Sequence, residues 1–145
     1  MHDAVLHEYE KVDVVIKAAA VSDYRPKQSV PYKVKKTEDV QLIELVRNPD
    51  ILAELGQRKG KRVLVGFAAE TEDLLANAQK KVRAKNLDMI VANDVSQEGV
   101  GFRSDENKVS ILHDDGRIED LPQMPKQKLA HEILVRVVER WRAMG

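Results

Sequence analysis

The stretch from Lys61 to Glu72 constrains the fold more than any other. Val63, Leu64 and Val65 form a short continuous apolar run, the pattern of a strand buried on both faces of a sheet. The run gives way to Gly66-Phe67-Ala68-Ala69, small residues around one aromatic, which reads as a tight turn. Thr71 then offers a helix N-cap, and Glu72 and Asp73 place negative charge in the first turn of a helical pattern that continues to residue 86. Strand, turn and helix in that order predict an α/β unit. Its ligand is expected at the carboxyl end of the strand.

Taken in order, the remaining segments extend this pattern. Residues 1–11 read as a short helix with Ala4, Val5, Leu6 and Tyr9 on its apolar side. An α/β domain usually opens on a strand, so the chain is expected to begin inside a larger fold. Val12–Ile16 is β-branched and reads as a strand. Pro26 and Pro31 predict a surface loop over residues 27–36, and Val40–Val46 reads as a further strand. Asn48-Pro49-Asp50 is a helix start, with Asn as N-cap, Pro at the first helical position and an acid next. That helix carries Ile51, Leu52 and Leu55, and Gly56 or Gly60 closes it.

Helix 72–86 is expected to bury Leu74, Leu75, Ala78 and Val82, with Lys81 and Lys85 sharing a face at i,i+4. Leu87–Ala92 predicts another buried strand ending in Asn93-Asp94, followed by a loop over residues 95–107. Asp114-Asp115-Gly116 between Lys108–His113 and Arg117–Leu121 is a hairpin signal. Pro125 opens a last helix with Leu129, Ile133, Leu134, Val137, Val138 and Trp141 in one stripe. Strands alternating with helices predict an α/β fold of three layers: a mostly parallel sheet, helices on both faces, and an antiparallel hairpin near the C-terminus. Residues 1–145 are expected to form a single domain.

Composition removes several function classes. Lys+Arg and Asp+Glu are both 24, so no global field favours nucleic acid or a membrane surface. There is no cysteine, which excludes disulfides, thiolate metal sites and a cysteine nucleophile. No apolar run approaches the ~20 residues of a membrane span, and no signal peptide is present, so a cytoplasmic location is expected.

Several polar groups carry chemical meaning beside a plainer reading. Lys33, Lys35 and Lys36, with Arg25 and Lys27, suit a phosphate-rich ligand, or simply a solvated basic loop. Asn48–Asp50 offers backbone N–H groups to an anion or base edge, or only caps a helix. Lys81 and Lys85 suit a triphosphate, or an exposed helix face. Asp23 and Asp94 follow strand ends and suit Mg²⁺ or a ligand, or are turn residues; no metal ligands are assigned. His2, His7, His113 and His131 show no metal-ligand spacing. Tyr32-x-x-x-Lys36 matches the spacing of short-chain dehydrogenases. Pro31 argues against the helix that pair requires, and no G-x-G-x-x-G occurs, so a nicotinamide enzyme is rejected.

Ala19-Ala-Val-Ser-Asp-Tyr-Arg25, Lys33-Val-Lys-Lys36, Asn48-Pro-Asp-Ile51, Gly66-Phe-Ala-Ala-Glu-Thr71, Ala92-Asn-Asp-Val95 and Gly101-Phe-x-Ser-Asp-x-Asn107 follow one another in a specific order. In that order and spacing the chain resembles phosphopantothenoylcysteine synthetase, the ligase half of the bacterial bifunctional coenzyme A biosynthesis flavoprotein. The resemblance implies a Rossmann-like fold and a CTP-dependent joining of 4'-phosphopantothenate to cysteine through an acyl-cytidylate, with Mg²⁺ accompanying CTP. It implies contacts to CTP from Asp23, Lys33, Asn48, Pro49, Asp50, Ile51, Phe67, Lys81 and Lys85, and a catalytic role for Lys33 as a loop lysine over the reacting groups.

It further implies a homodimer, and FMN only where a decarboxylase domain is fused upstream. The family's upstream glycine-rich and asparagine-containing motifs have no counterpart here. The chain therefore resembles the C-terminal part of the ligase domain, expected to bind CTP but to make no product alone. The alternatives are a non-catalytic nucleotide-binding module and a dimerisation module, neither of which interacts with nucleic acid or membrane.

Overall fold

The computed structural model describes residues 1–35, 41–70, 74–94 and 105–145. The chain divides into two compact units, one of Met1–Ala19 with Ile51–Gly145 and one of Ala20–Asp50. In the larger unit the elements run α1 (His2–Tyr9), β1 (Val14–Lys17), α2 (Ile51–Gln57), β4 (Val63–Glu70), α3 (Leu74–Ala84), β5 (Met89–Asp94), β6 (Glu106–His113), β7 (Ile118–Pro125) and α4 (Lys126–Met144). The smaller unit holds a two-stranded antiparallel ribbon, β2 (Tyr24–Pro26) with β3 (Leu45–Arg47).

The five-stranded sheet has the order β1-β4-β5-β6-β7. β1 and β5 both run parallel to β4, while β6 is antiparallel to β5 and β7 to β6. This is the α/β sheet and C-terminal hairpin that the sequence predicts. Gly116 turns the hairpin with φ 91°, a backbone angle that costs glycine nothing.

β4 lies inside the sheet, and Val63, Leu64 and Val65 are fully buried. Side chains of a strand alternate between faces. Leu64 and Ala68 therefore join Ile90 and Ala92 under α1, α2 and α3, where Tyr9, Leu52, Leu55, Ala78 and Val82 close the layer. Val63 and Val65 join Met89, Val91, Val109 and Ile111 under Leu129, Ile133 and Val137 of α4. Helices thus cover both faces.

Several sequence expectations are corrected. Gly66–Ala69 is not a turn; it continues β4, in register with β5 from Gly66↔Ile90 to Ala69↔Asn93. Small residues serve packing here. A Cβ on Gly66 would lie 2.9 Å from Leu52 Cδ2 and 3.0 Å from Leu87 Cδ1. Of the expected strand Val40–Val46, only Leu45 and Val46 are paired, and Leu42 is 93% exposed, because the ribbon is only three pairs long. Residues 36–40, and Thr71 with its expected capping role, lie outside the described residues.

Helix α2 begins at Ile51, so Pro49 is not its first helical residue and Asn48 is not its N-cap. Leu134, Val138 and Trp141 are substantially exposed, because the buried side of α4 is the narrower line Leu129, Ile133 and Val137. Leu75 of α3, expected to be buried, is 42% exposed.

Gly56 lies inside α2, and Gly60, with φ 56°, follows its end. A Cβ at position 56 would lie 1.9 Å from the Lys85 carbonyl oxygen, a backbone atom that cannot swing aside. Gly56→Ala is therefore expected to destabilise by about 1–3 kcal/mol despite alanine's higher helix propensity. A thermal melt checks this; an unchanged or higher midpoint would show that α2 can move away from Lys85.

Candidate functional site

The ribbon unit brings together two residues that the sequence assigns to one ligand. Beyond the last paired residues, Tyr24 and Arg47, the Asn48 backbone N–H donates to the Asp23 carbonyl at 2.7 Å. Asp23 and Asn48 therefore face each other at the end of the ribbon. The Asn48 side-chain amide donates to the Ser22 carbonyl at 2.7 Å, and its oxygen accepts from the Arg25 guanidinium at 2.9 Å. Arg25 also donates to the Arg47 carbonyl at 3.1 Å. At the other end, Lys27 pairs with Glu44 at 2.8 Å. Lys33 is exposed, as are Asp23, Pro49 and Asp50.

In the larger unit, polar and aromatic groups gather where parallel strands end. Phe67 is 38% exposed and alternates with Val63 and Val65, so its ring lies on the sheet face that α4 covers. Asn93 shares that face with Met89 and Val91, and its Oδ1 is buried with no hydrogen-bond partner among the described residues. A buried amide oxygen left unsatisfied calls for an explanation, and the carboxyl end of a parallel strand is where open sheets take ligands.

Lys81 belongs to α3, which packs on the opposite face through Ala78 and Val82. Lys85 follows the helix, which ends at Ala84 rather than at the expected residue 86, and its N–H donates back to the Lys81 carbonyl at 3.0 Å. Both lysines are partly buried. Phe67 and α3 with its Lys81 are thus on different faces of the sheet. Ile51 is 4% exposed and packs in the core, leaving its backbone rather than its side chain for any ligand.

Among the described residues, no group of three or more His, Cys, Asp or Glu is arranged to hold a metal. Mg²⁺ keeps several waters and takes only one or two protein carboxylates, and exposed Asp23 at the ribbon end is a single such carboxylate. No helix among the described residues is long and apolar enough to cross a membrane.

The hairpin and α4 carry a separate charge network. His113 Nε2 lies 2.8 Å from one Glu119 oxygen and Arg136 Nε donates to the other at 2.8 Å. Burial alone would raise the Glu119 pKa, but hydrogen bonds from Arg136 and His113 outweigh it and hold the carboxyl below its usual range. The network fastens α4 to β7 and contains none of the candidate site residues.

The sequence alone shows neither the bonds of Arg25 nor the buried, unpartnered oxygen of Asn93. In sequence Arg25 reads with the loop lysines as one more cation, and only the ribbon pairing shows that it is spent on Asn48 and Arg47. Asn93 was the end of an apolar run, which was the signal available.

A sheet whose parallel strands end in polar and small residues, flanked by crossover helices, defines the class of open-sheet α/β ligand-binding domains. Within that class the chain belongs to the DNA/pantothenate metabolism flavoprotein C-terminal domain family, whose model matches residues 1–140. It is 49% identical over 137 residues to the coenzyme A biosynthesis bifunctional protein CoaBC of Bacillus subtilis, covering 94% of this chain and 34% of that protein. It is 42% identical over 142 residues to CoaBC of Vibrio parahaemolyticus, covering 96% and 35%. The solved C-terminal domain of a CoaBC protein superposes with a TM-score of 0.74 at 43% identity, covering 94% of this chain and 58% of that one. The chain thus spans about a third of the length of the curated relatives it matches.

Proposed function

We propose that the protein carrying this chain is a phosphopantothenate–cysteine ligase of coenzyme A biosynthesis, cytoplasmic and homodimeric, and that this chain supplies its CTP-binding part. The observation that carries the reading is the match to CoaBC proteins over nearly the whole chain, at 49% identity to the Bacillus subtilis protein. The six sequence motifs fall within that match. FMN enters the reading only if a decarboxylase domain is fused upstream.

In the first step a carboxylate oxygen of 4'-phosphopantothenate attacks the α-phosphorus of CTP, and the bond to pyrophosphate breaks. The cysteine amine then attacks the acyl carbon, the acyl–oxygen bond to CMP breaks, and the nitrogen loses a proton. The first step brings two anions together, so positioned cations decide its rate. Mg²⁺ bound with CTP would neutralise part of the triphosphate charge, with Asp23 holding it. Lys33 screens the meeting of carboxylate and α-phosphate. Lys81 and Lys85 hold the triphosphate, the Asn48–Ile51 segment presents backbone groups to the cytosine edge, and Phe67 lines the nucleotide pocket.

The test is an assay of the full-length protein with CTP, Mg²⁺, 4'-phosphopantothenate and cysteine. The expected result is phosphopantothenoylcysteine formed mole for mole with CMP and pyrophosphate. A protein that binds CTP yet forms no amide would instead be a nucleotide-binding module.

A further inference from the structure

We infer that Arg25 is a positioning residue for nucleotide recognition, acting through Asn48. The inference rests on the proposed function, since it gives the Asn48–Ile51 segment its mechanical support. Asn48 is not free to turn: its amide N–H₂ is committed to the Ser22 carbonyl and its oxygen to Arg25. Those two bonds fix which end of the carboxamide points where, and the backbone bond from Asn48 to the Asp23 carbonyl fixes its height on the ribbon.

Arg25 is the charged donor of this arrangement. One fork nitrogen reaches both the Asn48 oxygen and the Arg47 carbonyl, tying the side chain to the strand that precedes it. The residues that follow, Pro49 and Asp50, carry no fixed helical geometry of their own, because α2 begins only at Ile51. Their backbone therefore sets out from the ribbon end, and Arg25 sets that end. Asn48 acts mainly as a strut. The base edge is read by the backbone of residues 49–51 rather than by the Asn48 amide.

The test uses the full-length protein in steady-state ligation. Arg25→Ala is expected to raise KM for CTP roughly tenfold, the scale of one charged hydrogen bond, with KM for 4'-phosphopantothenate and for cysteine unchanged. Arg25→Lys retains the charge and enough N–H donors for both acceptors, but not the coplanar N–H pair of one guanidinium nitrogen, and is expected to restore the CTP KM only in part. Asn48→Ala combined with Arg25→Ala is expected to cost about the same tenfold as either alone, not the roughly hundredfold of independent effects.

Multiplying effects overturn the inference, as does a CTP KM within about twofold of the unchanged protein, well below one hydrogen bond. A parallel rise in all three KM values overturns it too, by showing general damage to the ribbon. Failure of the unchanged protein to use CTP at all overturns the proposed function and this inference together, whereas normal CTP use untouched by Arg25→Ala overturns this inference alone.

Discussion

Asp88→Ala is expected to lower the unfolding free energy by about 3 kcal/mol, the lower end of the range for breaking a buried ion pair. Asp88 has no exposed surface. One of its oxygens accepts from the Leu64 backbone N–H at 2.7 Å and pairs with Lys59 at 2.9 Å. The other accepts from Arg140 Nε at 3.0 Å, and Arg140 continues to Asp114. One carboxylate thus ties β4, the start of β5, the hairpin and the far end of α4. Its removal strands a buried N–H and two cations. Lys59 is 12% exposed and Arg140 35%, so the arginine can partly return to water, which keeps the loss from the top of the range. Asp88→Asn, which retains an acceptor for Leu64, is expected to lose less. Urea unfolding measures both, and a loss below about 1 kcal/mol for alanine would show that the ion pairs contribute little beyond surface pairs.

Lys33→Ala carries the largest expected effect on activity. Lys33 is exposed, so its removal should change stability by no more than about 0.5 kcal/mol. If its ammonium screens the carboxylate as it meets the α-phosphate, kcat for amide formation should fall by roughly 10²–10³-fold, as when a preorganised charge-stabilising donor is lost. Lys33→Arg should recover little, because the wider guanidinium does not replace a compact point charge. Steady-state ligation with the melting point measured alongside checks this. An unchanged kcat would return the lysine loop to a solvated surface segment.

The residues that made the fold legible are those where burial and period agree. Val63–Val65 announced a strand covered on both faces, and Asp114-Asp115-Gly116 announced the hairpin. Pro125 does stand immediately before α4. The misses have a common cause in tertiary contact. Gly66 looks like a turn residue in one dimension but is small because Leu52, Leu87 and Ile90 press on it, and Ala68 lies buried in the same cluster. Asn48 has the right chemistry for a cap, yet Ser22 and Arg25, more than twenty positions away, claim its side chain. Leu134, Val138 and Trp141 belong to the apolar side of α4 by spacing, but one line of contacts suffices to seat the helix.

The candidate site was legible in a different way. Its residues come from resemblance, and the ribbon brings Asp23 opposite Asn48, while Phe67 and α3 with its Lys81 lie on different faces of the sheet. Spacing along the chain carries no information about which face of a sheet a following helix takes, so the sequence could not separate them. Asp88, a single acid inside Leu87–Ala92, reads as a strand residue until its partners are seen.

Calorimetric titration of the full-length protein with CTP and Mg²⁺, with ATP as the control, tests nucleotide use most directly. Saturable CTP binding, weakened roughly tenfold or more in Lys81→Ala and in Lys85→Ala, is the expected result, since each lysine is a direct charge on the triphosphate. No CTP heat, or equal affinity in the unchanged protein and both lysine variants, would contradict the assignment of a CTP site to these residues.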